Sequence, residues 1–228
     1  MTLPQILTQQ RAFAPVLPAD VLAQPLLLDF TGKNKELDAV DLTDTRHFSD
    51  YVFGKLRDHG ATVGVGGYDE NRSIYRRSTH FQQTEEPRCI HLGVDLWAVA
   101  GTPVFAPLAG RVHSFGDNAR FGDYGPTLIL EHRLPVPESD FTMCFYTLYG
   151  HLSRASLAGK WPGMTIKLGE KMAEIGPFPE NGDWPPHLHI QVIADLQGWQ
   201  GDYPGVCAEL ERESYLRNCP DPNLILRL

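Results

Sequence analysis

From Ile74 to Ala194 the chain is a succession of short apolar runs broken by glycine, proline and polar turns. No stretch of about 10–15 residues with helical period separates those runs, which favours an antiparallel sheet or sandwich over βαβ units. The candidate strands are Ile74–Arg77, His91–Leu96, Pro103–Ala106, Gly110–Phe115, Thr127–His132, Met143–His151, Thr165–Leu168, Met172–Ile175 and His187–Ala194. The 18 prolines and 21 glycines supply the turns that such a chain needs. The expected fold is mainly β, an antiparallel β-sandwich. Two segments share a turn–strand–glycine theme, Gly101-Thr102-Pro103-Val104 up to Gly110, and Gly163-Met164-Thr165-Ile166 up to Gly169. That repetition suggests an internal duplication.

Upstream the pattern changes. Residues 1–60 read as a mostly helical N-terminal extension, with helices expected over Leu3–Arg11, Leu17–Leu26 and Asp44–Arg57. In the last of these Phe48, Tyr51, Val52, Phe53 and Leu56 form an apolar stripe. Asp41, Thr43 or Asp44 can cap its start, and Gly60 fits its end. A strand at Ala61–Val65 opens the β domain, which is expected to span 61–196. Residues 197–228 form a loop-rich tail whose final apolar residues are expected to pack back on the domain.

A net charge of −8 without a Lys/Arg cluster argues against nucleic acid or an anionic membrane as partner. The N-terminus lacks a basic start followed by an apolar run, and no span is long enough to cross a bilayer, so the expected location is cytoplasmic. Cys89, Cys144, Cys207 and Cys219 stand at irregular spacings with no CxxC and are expected to be free thiols. Nothing in the sequence sets an oligomeric state.

The residues that can carry chemistry fall in three motifs. His187 and His189 flank Leu188 at the start of a strand, so both imidazoles point to one face. His91 and Asp95, four residues apart, suit a borderline cation such as zinc. With one further histidine they give three protein ligands and leave a position open for water. His151, in Tyr149-Gly150-His151-Leu152, adds another imidazole at a strand end, beside a glycine that leaves room near a ring.

Together these motifs resemble the lysostaphin-type (LytM-like) zinc metalloendopeptidases, which cut peptide bonds in cell-wall peptidoglycan. The family pattern is a His-x-x-x-Asp motif, a later Tyr-x-His-Leu motif and a terminal His-Leu-His motif. It stands here as His91…Asp95, Tyr149-Gly150-His151-Leu152 and His187-Leu188-His189, with Gly101–Pro107 and Tyr124-Gly125 between. The resemblance covers about residues 88–195. It implies a sandwich of the duplicated-hybrid-motif type, one Zn2+ per chain held by His91, Asp95 and His189, and catalysis by His151 and His187 on the reacting water and carbonyl. Tyr146–Ser153, Trp184-Pro185-Pro186-His187 and the Cys219–Leu224 tail resemble a subgroup found fused to kinase-like and class III aminotransferase domains. The implied substrate is a peptide or amide, including peptidoglycan-derived fragments.

Three features depart from the family pattern. No tyrosine stands just before His91, Tyr75 being the nearest. A bulky Asn181–Pro186 loop replaces a glycine-threonine-rich one, and Gln191 stands where an acidic residue is common. His80 is a candidate extra ligand, Cys89 is expected to be a buried thiol rather than a ligand, and His132 is expected to be a satisfied core histidine. The competing readings are a metal-binding but catalytically silent regulatory module and a histidine phosphocarrier. Asp95 counts against the carrier, because a carboxylate there serves a cation better than a phosphoryl group.

Overall fold

The computed structural model describes residues 1–82 and 86–228. Its strands in chain order are β1 (Pro25–Leu28), β2 (Val63–Gly66), β3 (Ile90–His91), β4 (Val94–Trp97), β5 (Pro103–Phe105) and β6 (Gly110–Asn118). They continue with β7 (Gly125–Pro135), β8 (Thr142–Gly150), β9 (Thr165–Ile166), β10 (Lys171–Glu174), β11 (Leu188–Ile193) and β12 (Val206–Cys207). The helices are α1 (Leu3–Gln9), α2 (Thr45–Asp58), α3 (Arg212–Asn218) and α4 (Asn223–Leu226).

Eight strands form one sheet in the order β1-β2-β4-β11-β8-β7-β6-β9. Its pairs are antiparallel except β1 with β2. The two sequence segments suspected of duplication pair reciprocally. Strand β5 of the first pairs with β10 of the second, and β6 with β9. The small β5/β10 sheet covers one face of the large one, where Val94, Leu96, Val104, Leu130, Met172 and Ile190 form the main core. The mainly β expectation holds, with a parallel edge pair added by the N-terminal segment.

Strand alternation sends the other residues of the same strands to the opposite face. Val94 and Leu96 enter the main core while Asp95 and Trp97 face away from it, and on β11 Leu188 and Ile190 alternate with His189 and Gln191. That second face is covered by the N-terminal segment and by residues 202–219. Phe30, Phe48, Phe81, Trp97 and Trp184 form one cluster over it, and Ile90, Tyr124, Leu148 and Tyr203 another.

Helix α2 forms as expected. Phe48, Val52 and Leu56 bury its apolar stripe, and the Asp44 carboxylate caps its start by accepting from the Arg46 and His47 amides at 2.8 and 3.2 Å. Three expectations fail. Leu17–Leu26 is not a helix: only Val21–Ala23 makes a 3-10 turn, and Pro25 starts β1. Proline cannot donate to a ladder, and an edge strand tolerates that. Ile74–Arg77 is a 3-10 turn rather than a strand, and Ile74, Tyr75 and Arg77 are all buried there, which no period-two alternation allows. His91–Leu96 is two strands, since the chain breaks at Leu92-Gly93 and β3 pairs with β12 instead of joining the large sheet. In the tail, Ile225 is buried in one apolar cluster with Leu3, Leu7, Leu108, Phe145 and Val192. All four cysteines are free. Among the described residues no helix is long and apolar enough to cross a membrane.

Candidate functional site

Register builds the site. Gly66, Asp95, His189 and Gly150 lie in one row across β2, β4, β11 and β8. The two glycines at its ends are gaps that other side chains fill. A Cβ on Gly66 would stand 2.5 Å from the Arg72 guanidinium, and one on Gly150 would stand 2.5 Å from the Tyr124 ring. The ring beside Gly150 is therefore Tyr124 rather than His151. His91 arrives from β3, and the break at Gly93 lets it do so, because a Cβ there would meet His189 Cε1 at 2.5 Å.

His91, Asp95 and His189 are brought together as a group able to hold a metal ion. His91 Nε2 lies 3.0 Å from His189 Nδ1 and 3.3 Å from Asp95 Oδ1, and His189 Nδ1 lies 2.9 Å from Asp95 Oδ1. A tetrahedral zinc site with ligand distances of about 2.0 Å has edges of about 3.3 Å, so this triangle is close to one of its faces. The outer hydrogen bonds fix the tautomers. His91 Nδ1–H donates to the Gly67 carbonyl at 2.8 Å, which leaves Nε2 bare. Gln191 points its amide nitrogen at the Pro204 carbonyl, 3.1 Å away, so its Oε1 accepts from His189 Nε2–H at 3.1 Å and leaves Nδ1 bare. Three lone pairs thus converge with no proton shared among them, an arrangement that a cation satisfies. Gln191, which stands where an acidic residue is common, thus orients the His189 ring.

A buried arginine controls the charge. Arg72 donates from NH1 to Asp95 Oδ2 at 2.5 Å and from Nε to Glu70 at 2.7 Å, and its NH1 also reaches the Tyr75 hydroxyl at 3.3 Å. Burial pushes the Asp95 carboxyl up, but its neighbours, His91 and the Arg72 guanidinium foremost, hold it well below the usual carboxylate range. It is an anion, and Arg72 leaves only Oδ1 facing the histidines. Burial, reinforced by Arg72, pushes the His91 pKa down to about 4, so its ring is neutral at pH 7.

The two remaining histidines stand beside this group. His151 Nδ1–H donates to the Asn181 carbonyl and His187 Nδ1–H to the Pro185 carbonyl, each at 2.8 Å, so both Nε2 atoms are bare. Their rings lie 4.0 Å apart, and His187 stacks on Trp97 at 4.0 Å. His187 Nε2 is 4.0 Å from Asp95 Oδ1. Burial lowers both pKa values, that of His187 to about 4. His151 holds a φ of +62°, a strained backbone for a non-glycine residue and a recurrent mark of functional positions.

All five residues expected at the site line or underlie one cavity of about 470 Å³. His80 lines the same cavity outside the three-ligand group, its Nε2 3.9 Å from Asp123. His132 is the satisfied core histidine expected, bonded to the Ala109 carbonyl and to Thr147. Sequence reasoning gave no role to Arg72, Tyr124 or Gln191. Tyr124 and Gln191 did carry a signal, Tyr124 in the Tyr124-Gly125 pair between the motifs and Gln191 on the period-two face of His187 and His189. Tyr75, 16 positions before His91 in the sequence, lies 6.4 Å from it, ring to ring.

Among solved structures the chain is similar to a zinc containing peptidase from Vibrio cholerae, with 27% identity over 46% of this chain and 27% of that one, TM-score 0.33. It is similar to the catalytic domain of the antimicrobial peptidase lysostaphin from Staphylococcus simulans, with 21% identity over 61% of this chain and 81% of that one, TM-score 0.41. It is also similar to a chain of the SpoIIQ-SpoIIIAH pore forming complex, with 19% identity over 53% of this chain and 63% of that one, TM-score 0.33. The match spans about a quarter of the Vibrio cholerae peptidase's length. No curated protein matches the chain. Residues 89–201 match the model of peptidase family M23, and through them the chain belongs to that family.

Proposed function

We propose that this chain is a zinc-dependent hydrolase of a peptide or amide bond, with peptidoglycan-derived peptides as the substrate class that its family suggests. The observation that carries the reading is the convergence of His91 Nε2, Asp95 Oδ1 and His189 Nδ1 within 3.3 Å, beside two imidazoles whose Nε2 atoms are bare. Those three residues would hold the metal. When bound, zinc supplies Lewis acidity, polarising a carbonyl and making hydroxide available near neutral pH.

The chain's own groups do the rest. A bare, neutral Nε2 on His151 or His187 takes the proton of the attacking water, and the resulting imidazolium returns it to the leaving nitrogen. The Tyr75 hydroxyl accepts from Arg72, which leaves its proton to be given to the developing oxyanion. Trp97 and the Pro185 carbonyl hold the His187 ring in place.

Elemental analysis of the purified protein beside an Asp95→Ala variant tests the reading. About one zinc per chain, lost in the variant, is expected. His151→Ala and His187→Ala should keep the zinc while losing hydrolysis of amide and peptide substrates. A wild-type chain that neither carries zinc nor takes it up would sink the proposal.

A further inference from the structure

Two walls of the cavity come from outside the stretch that matches the family. Residues 72–82 form a strap that runs from the metal group to the loop after β6. At its far end Ser78 Oγ donates to the Phe121 carbonyl at 2.9 Å, and Gly122 sits so close that a Cβ would stand 2.6 Å from the Ser78 side chain. Midway, Tyr75 and Phe81 pack on each other at 4.6 Å and both face Trp184, at 6.3 and 6.4 Å. Behind them Arg77 of the strap lies over the rings of Trp184 and Phe121, at 4.5 and 4.9 Å, and donates to Thr45 on α2 at 2.8 Å.

The opposite wall is residues 202–206, anchored by the pairing of β12 with β3 and by the bond from Asn118 to the Gly201 carbonyl at 2.9 Å. Val206 of this wall joins Tyr75, Phe81 and Trp184 in one apolar cluster, which strap and wall share. All four of these side chains also line the cavity, so this cluster bounds it at one end. Behind it His91, Asp95 and His189 are 1–3% exposed, and the cavity of about 470 Å³ is in the range of small-molecule sites. A peptide cut in its interior must lie extended through a groove open at both ends, and six residues of it span about 20 Å.

We infer that the site admits its substrate only by an end, so that the protein acts on a short peptide, a chain terminus or a small amide and not as an endopeptidase. The inference rests on the hydrolase reading above and narrows its substrate class. It fits the bulky Asn181–Pro186 loop, whose Trp184 is the ring against which the strap closes.

The test separates access from activity. A phosphinic Gly-Gly unit, a tetrahedral mimic of the scissile bond that binds metal directly, is titrated into the zinc-loaded full chain by calorimetry. The same unit at the centre of a twelve-residue peptide blocked at both ends is titrated in parallel. The short unit is expected to bind at least 100-fold more tightly, and Phe81→Ala to narrow that ratio by opening the end that the cluster bounds. Equal affinities in the wild type would overturn the inference, whatever the variant does. In a digest of mixed peptides read by mass spectrometry, cuts are expected within two residues of a free end, with cyclised and doubly blocked peptides intact. Cuts in the middle of blocked peptides would overturn it. A digest with no cuts would count against the hydrolase reading, while the phosphinate ratio still decides who can enter.

Discussion

Replacing Arg72 by methionine separates the two cations that Asp95 can use. The arginine side chain is 1% exposed and its main partner, Asp95, 4% exposed, whereas Glu70 is 15% exposed and can turn to water. An unbranched thioether fills much of the space the arginine stem leaves, so the loss is mainly one of charge. Removing one member of a buried ion pair costs about 3–5 kcal/mol, because the other charge stays buried without compensation. For a chain of this size each kcal/mol lowers Tm by roughly 2–4 °C, so Arg72→Met in EDTA should melt about 6–20 °C below wild type. Zinc changes the sum. A divalent cation at Oδ1 compensates the same carboxylate, and wild type itself gains about 2.7 kcal/mol at free zinc 100 times its Kd. The variant, with no guanidinium repelling the ion, should gain more. The gap between the two proteins should thus shrink in zinc relative to EDTA, read by differential scanning calorimetry in both. A gap below about 3 °C in EDTA, or one of the same size in both buffers, would refute the charge argument.

Gly93→Ala places a methyl 2.5 Å from His189 Cε1 and 2.7 Å from the Ile190 carbonyl, so the ring must leave its position. Zinc affinity should fall roughly 10–100-fold with the circular dichroism spectrum retained, and unchanged affinity would contradict the geometry. His132, far from the metal group, is held neutral by burial, its pKa lowered from 6.5 to about 4. The unfolded chain takes up a proton in that window, so stability from this residue is full above pH 6.5 and falls by about 1.4 kcal/mol per pH unit as the pH drops towards 4. His132→Gln should remove that slope in urea titrations at pH 7, 6 and 5; parallel losses in variant and wild type would mean that His132 does not carry it. Asp44→Ala removes the cap of α2 and should cost about 1 kcal/mol, or roughly 2–4 °C in Tm, with zinc binding unaltered.

What the sequence disclosed is what depends on short-range pattern. Period-two alternation puts His187, His189 and Gln191 on one face, and turn residues mark most of the strands. The Asp44 cap and the Phe48–Leu56 stripe make α2 legible for the same reason. Arg72 carried no such signal. It stands alone in a polar loop, and its importance comes from a vacancy at Gly66 and a carboxylate at Asp95, both supplied by strands distant in sequence. His91 and Asp95 were read as neighbours on one strand, yet they meet because β3 and β4 are separate and Gly93 turns between them. The Leu17–Leu26 segment has helical composition, but an open sheet edge beside Val63–Gly66 decides its structure. Local propensity cannot report an edge that exists only after the sheet has formed.

Strand β1 lies at the end of the large sheet, and β2 separates it from β4. Shortening the chain to the stretch that matches the family would therefore remove more than a leader. It would turn Val94–Trp97 into a bare margin and uncover the Trp97 ring, which Phe30 and Phe48 cover at 5.1 and 5.8 Å. An unpaired, apolar margin of that kind recruits other chains, so such a fragment should self-associate before it can be assayed. The length of chain inherited as a recognisable family and the length that can exist alone in a test tube are different quantities here.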